Sequence, residues 1–257
     1  MGLEIVTVRC RTDNYAYLLR DTGSGQVGLV DAPEAAPIEA ALAARDWGLD
    51  WIWITHHHGD HVEGVERLRE AYGAQVAGHV KDLGRLPALD REVSVGERLS
   101  LGESVATVID VSGHTIGHLA FVFDAEEAGA AFTGDSLMAL GCGRVFEGTH
   151  QMMWESLTRF AGYPDAMEVY SGHNYGAANG RFARTIEPEN AALAARIDRI
   201  AAADREGRPI MPATLGEERA TNPFLRASEA SVKAALGMPE ADDAAVFAEI
   251  RRRKDGF

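Results

Sequence analysis

Thr55-His56-His57-His58-Gly59-Asp60-His61 follows the apolar run Trp51-Ile52-Trp53-Ile54, a strand that ends in a dense set of metal-capable side chains. If the chain is still extended as it leaves a strand, side chains two apart point to one side, so His56 and His58 converge on one ion while His57 points away. Where the chain turns into the next helix, Asp60 and His61 are aimed in a second direction. One segment therefore feeds two neighbouring ions. Imidazoles mixed with a carboxylate suit zinc or another first-row divalent metal, whereas magnesium and calcium prefer oxygen shells. The bland reading is a histidine cluster on a solvated loop, and the joint pattern disfavours it.

Three other stretches end an apolar strand in a small residue and then a ligand type: Val111-Ser112-Gly113-His114, Phe132-Thr133-Gly134-Asp135 and Tyr170-Ser171-Gly172-His173. Sites in layered α/β folds gather at strand ends along one sheet edge, so these loops are expected to meet the first.

The surrounding pattern supports such a fold. Leu3 to Arg9, Tyr15 to Arg20 and Val27 to Val30 read as an antiparallel meander, Glu34 to Trp47 as a helix, Trp51 to Ile54 as a buried strand, and His61 to Tyr72 as a helix. Short strands and glycine turns fill Val93 to Phe132. This is an α/β domain with sheet inside and helices outside. After about Tyr170 the spacing is helical in Phe182 to Ile186, Asn190 to Ala203, Glu229 to Leu236 and Ala241 to Arg253, and no strand signal survives. Pro188 and Pro239 are read as first-turn prolines.

The 257 residues carry 39 acidic and 25 basic side chains, a net charge of -14, which argues against nucleic-acid or anionic-membrane partners. Two cysteines, no sequon, no leader-like N-terminus and no long apolar stretch give a cytoplasmic profile. Cys142 reads as a small buried thiol.

The metal pattern resembles the metallo-β-lactamase superfamily. The similarity becomes specific in Asp13-Asn14-Tyr15, Ser112 to His118, Gly141-Cys142-Gly143-Arg144, Gly172-His173-Asn174-Tyr175, Phe182-Ala183-Arg184, Asn222 to Arg226 and Arg252-Arg253-Lys254-Asp255, which look like the glyoxalase II (hydroxyacylglutathione hydrolase) family over the whole length. The resemblance implies an αββα metallo-β-lactamase-like sandwich in residues 1–174 and a C-terminal helical domain in 175–257 that helps bind a glutathione thioester. It implies two divalent ions, zinc first, with iron or manganese as alternatives. His56, His58 and His114 would hold one ion, Asp60, His61 and His173 the other, and Asp135 would bridge them. The nucleophile would be a hydroxide shared by the ions, a water acidified to roughly pKa 7. Because a thiolate of pKa about 8.5 leaves readily, Asp60 reads as a ligand and not as a base.

Arg144, Phe146, His173, Tyr175, Arg251 and Lys254 match substrate-binding positions. Arg144 stands where the family commonly has lysine, and Phe146 where tyrosine is common. Asp31 and His118 are expected to orient ligand imidazoles through their second nitrogen. The small-molecule thioester is the only partner implied, with the chain a monomer. Alternatives are a mononuclear-iron glutathione persulfide dioxygenase, a hydrolase of another thioester, a non-catalytic metal-binding protein, and a serine esterase read from Gly134-Asp135-Ser136-Leu137, which lacks a histidine after His173.

Overall fold

The computed structural model describes residues 2–124 and 128–257. The chain begins with three antiparallel strands, β1 (Leu3–Cys10), β2 (Asn14–Asp21) and β3 (Val27–Val30), followed by helix α1 (Ala35–Ala43) and β4 (Trp51–Trp53). Helices α2 (Gly59–Val62) and α3 (Val65–Tyr72) lead to β5 (Gln75–His79) and β6 (Arg91–Val93). These six strands form one sheet in sequence order, with β3 to β6 parallel.

Strands β7 (Arg98–Leu101), β8 (Ser104–Asp110), β9 (Leu119–Phe123) and β10 (Ala130–Gly134) start the second sheet. A two-stranded hairpin of β11 (Leu137–Met138) and β12 (Gly141–Cys142) follows, then α4 (His150–Thr158) and β13 (Glu168–Ser171). The C-terminal part holds α5 (Gly176–Ile186), α6 (Ala191–Arg205), β14 (Ala213–Thr214), α7 (Leu215–Thr221), α8 (Ala230–Leu236) and α9 (Asp243–Asp255). The second sheet has the order β14-β13-β10-β9-β8-β7.

Period-two burial makes the layers. Tyr17, Leu19, Val30 and Trp53 of the first sheet share a core with Phe121, Phe123 and Phe132 of the second, whereas Leu18, Leu29, Ile52 and Val76 face the opposite way onto Ile38, Leu42, Val65 and Leu68 of α1 and α3. The central core continues into Phe182, Phe224, Phe247 and Ile250 of the C-terminal part. The result is the expected αββα sandwich with a helical C-terminal part.

Several boundaries differ from the sequence reading. The helix expected over 61–72 is two helices, because the Gly64 amide donates to Ala32 O (2.8 Å) and the Asp60 carbonyl accepts from Asn14 Nδ2 (2.9 Å), so the i to i−4 bond between them is lost. Helix α1 stops four residues before Trp47, in a turn that places Asp46 at φ 55°. A strand does exist after Tyr170: β14 pairs with β13, and two residues are too short to carry a period. Pro188 precedes the Asn190 cap of α6, and Pro239 lies between α8 and α9, so neither is in a first turn.

Candidate metal centre

Strand direction brings the chemistry to one edge. The C-terminal ends of β3, β4, β8, β10 and β13 lead into Asp31, Thr55 to His61, His114, Asp135 and His173. Two glycines let these loops close together. Gly134 has φ +48°, and a Cβ there would lie 2.6 Å from Thr55 Oγ1; a Cβ at Gly172 would lie 2.4 Å from Asp135 Oδ1.

Donor atoms of His56, His58 and His114 lie within 4.8 Å of one another, as do those of Asp60, His61 and His173 and those of His56, His61 and Asp135. Asp135 Oδ2 is 3.5 Å from His114 Nε2 and 3.2 Å from His173 Nε2, and Oδ1 is 3.5 Å from His61 Nε2. Asp135 thus stands between the two outer groups. His57 turns away, as expected, toward Asp82 and Glu147 (3.5 Å each).

The outward hydrogen bonds test whether these residues fit cations. His61 Nδ1 donates to Asp31 Oδ2 (2.8 Å), His173 Nδ1 to Asp13 Oδ1 (2.9 Å), and His114 Nδ1 to Arg144 O (2.7 Å). Thr55 Oγ1 donates to Asp31 Oδ2 (2.8 Å) and accepts from His56 Nδ1 (3.0 Å). Each of these rings therefore presents a bare Nε2 inward. His58 Nδ1 sits 3.1 Å from His56 Nε2 and 3.0 Å from His114 Nε2, and His61 Nε2 sits 3.2 Å from His173 Nε2. The His61 and His173 Nε2 lone pairs, both turned inward by their Nδ1–H bonds, repel unless a proton or a metal cation lies between them. The buried Asp135 Oδ1 has no hydrogen-bond partner among the described residues and offers a further donor. The residues fit divalent metals of the nitrogen-and-oxygen-binding kind.

Electrostatics agree. Burial, with His61 and His118 next, holds the His56 imidazole well below its ordinary value, and burial with His114 pushes His58 down to about 4. His114 is lowered mainly by burial. Burial alone would lower His61 and His173, but Asp135, with Asp31 or Asp13, outweighs it and raises both. Burial would raise the Asp135 carboxyl, yet His61 and His173 hold it well below the carboxylate range. Without a metal, protons on His61 and His173 would stand in for the positive charge.

Asp31 reaches His61 directly and His56 through Thr55. Its own backbone is left-handed, φ 57°, a conformation an aspartate tolerates better than most side chains. His118 corrects the expectation. Its Nε2 accepts the Asp135 amide (3.0 Å), and its ring stacks on His56 at 4.5 Å, so it positions a carboxylate and not an imidazole. Asp13, Asn14 and Thr55 were not singled out for a role at the site, although Asn14 Nδ2 reaches Asp60 Oδ2 at 3.3 Å.

A cavity of about 410 Å3 opens over the cluster, lined by His58, Asp60, His114, Asp135 and His173 together with Arg144, Arg251 and Lys254. Tyr175 stacks on His173 at 4.6 Å, and Phe146, 61% exposed, stands 5.2 Å from the His114 ring. Lys254 Nζ lies over Phe182 and Phe257. Arg251 is buried: its guanidinium donates to Cys142 O (3.0 Å) and Asp255 (2.8 Å). Ser136 is fully buried with its hydroxyl on Met153 Sδ (3.9 Å), an arrangement that gives a serine nucleophile no base. No helix of the described residues is long and apolar enough to cross a membrane.

Sandwich and edge cluster together define a protein of the metallo-β-lactamase superfamily, whose family model matches residues 11–173. A second model, hydroxyacylglutathione hydrolase C-terminus, matches residues 174–257. The chain is 58% identical to a hydroxyacylglutathione hydrolase of Cereibacter sphaeroides and 54% identical to one of Ruegeria pomeroyi, in each case over all of both chains. Among solved structures it is similar to ETHE1 from Myxococcus xanthus (TM-score 0.68, 24% identity, 98% of this chain and 90% of that one). It is also similar to TTHA1623 in a di-iron-bound form (TM-score 0.61, 26% identity, 86% and 100%). The chain belongs to the hydroxyacylglutathione hydrolase family.

Proposed function

We propose that this chain hydrolyses S-2-hydroxyacylglutathione thioesters, converting S-D-lactoylglutathione to D-lactate and glutathione, the second step of methylglyoxal detoxification. The observation that carries the reading is a cavity lined both by the His/Asp cluster and by three cationic side chains, in a chain of net charge -14. Glutathione brings two carboxylates, which such cations receive.

In this reading His56, His58 and His114 would hold one divalent ion, Asp60, His61 and His173 would hold a second, and Asp135 would offer its carboxylate to both. Two such ions supply an acidified water and polarise a carbonyl. The protein's part is orientation. Asp31, Thr55 and Asp13 fix the tautomers, Asn14 holds Asp60 as a ligand, and the His118 ring fixes the Asp135 backbone. Tyr175 and Phe146 form the sides of the cavity, and Lys254 and Arg144 offer charge. Residues 1–174 would be the catalytic unit and residues 175–257 the part that adds Tyr175, Arg251 and Lys254. Zinc fits the donor set first; the similar protein solved with two irons makes iron the next alternative, ahead of manganese. The same reading has the chain working as a monomer in the cytoplasm, which size-exclusion and fractionation test.

Incubation with S-D-lactoylglutathione should consume the thioester, release one free thiol per thioester and take up no oxygen. Oxygen uptake with glutathione persulfide, and no thioester loss, would transfer the site to the dioxygenase reading. Loss of a coenzyme A thioester in preference to the glutathione one would change the substrate class.

A further inference from the structure

The last turn of α9 meets the loop after β12 through the Asp255 carboxylate. Asp255 Oδ1 accepts from Arg251 Nη2 (2.8 Å) and Nε (3.1 Å) and lies 3.4 Å from Arg144 Nε. Arg251 is anchored, being buried with its other arm on Cys142 O (3.0 Å) and its plane 5.2 Å from the Phe224 ring. Arg144 is not: its side chain is 56% exposed, rests against Phe146 at 6.0 Å, and has Asp255 as its one ion-pair partner among the described residues. An exposed arginine with many rotamers loses considerable entropy when a ligand fixes it, unless something fixes it beforehand.

We infer that Asp255 is a positioning residue, which ties the exposed Arg144 guanidinium to the anchored Arg251 and so presets the cationic lining of the cavity for an anionic substrate. The inference rests on the reading of the cavity as a glutathione thioester site. Its signature is an effect on binding that exists only while Arg144 is present. A helix that merely needed Asp255 to stay folded would show the effect in any background.

The test is a double-mutant cycle on the holoenzyme with S-D-lactoylglutathione. Asp255→Asn should raise KM about fivefold, the upper range for an exposed charge pair, with kcat within about twofold of the parent. In the Arg144→Ala background the same change should alter KM by less than about 1.5-fold. Asp255→Glu, which keeps the charge, should give a KM between those of the parent and of Asp255→Asn. An equal rise in both backgrounds, an unchanged KM, or a fall in kcat with constant KM overturns the inference while leaving the hydrolase reading standing. A parent enzyme that fails to turn over the thioester overturns both.

Discussion

Asp31 supports two of the candidate ligands from outside the cluster. Its carboxylate holds His61 directly and His56 through the Thr55 hydroxyl, and it also accepts the Thr55 amide at 2.8 Å. Removing such an outer partner commonly lowers metal affinity 10- to 100-fold, and Asp31→Ala should do so here in a chelator-competition titration; an unchanged affinity would mean the imidazoles are held by packing alone. The two cysteines should be silent. Burial pushes Cys10 up to about 12 and Cys142 up to about 11, so both stay thiols at pH 8. The folded protein should resist iodoacetamide at that pH and take up two equivalents only after denaturation, and rapid labelling of the native chain would contradict the burial. At this scale the ligand types were legible because each follows a strand and a small residue. Their supports were not. The His173 to Asp13 bond crosses 160 positions, and nothing near Asp13 in sequence announces it. His118 was legible as a participant but not in its role, which depends on where the Asp135 amide points.

Turns and strand ends decide whether the edge assembles. At Gly134 an alanine would combine a left-handed backbone with contacts of 2.6 Å to Thr55 and 2.8 Å to His118 Cε1, so Gly134→Ala should lose metal as well as stability, by about 1–3 kcal/mol in denaturant unfolding. A second tie joins the two sheets. Asp21, ending β2, accepts from Ser24 N and Oγ (2.7 Å each) and from Ser104 N (3.1 Å) and Oγ (2.6 Å) at the start of β8. These bonds, that from the Ser104 hydroxyl first, hold its carboxyl well below the usual range. A depressed folded value stabilises the protein above the unfolded pKa of about 3.9 and ceases to do so as the pH falls further. Asp21→Asn should therefore cost about 1–3 kcal/mol at pH 7. The gap from the parent should narrow below pH 4, and a gap independent of pH would refute the charged role. Among elements, strands and long helices were legible from period two and period 3.6. Helix α7 was missed although Thr214 and Glu217 mark its start, the threonine hydroxyl accepting the Glu217 amide at 3.1 Å. The break between α2 and α3 was not legible, since it is caused by partners at Asn14 and Ala32.

At the scale of the molecule, two sheets share one core, their edge collects the candidate ligands from four separate loops, and α9 with the loop after β12 brings three cationic side chains to the same cavity. The composition showed an acidic chain; it did not show that Arg144, Arg251 and Lys254 meet, because residues more than 100 positions apart come together only when α9 lies on the β12 loop. The central claim is that the cluster holds two ions and that hydrolysis depends on both. Metal-stripped protein should be titrated with zinc while bound metal and S-D-lactoylglutathione hydrolysis are followed together. The stripped protein should be inactive, binding should saturate at two ions per chain, and Asp135→Ala should lose that stoichiometry. Full activity without metal, or saturation at a single ion with full activity, would contradict it.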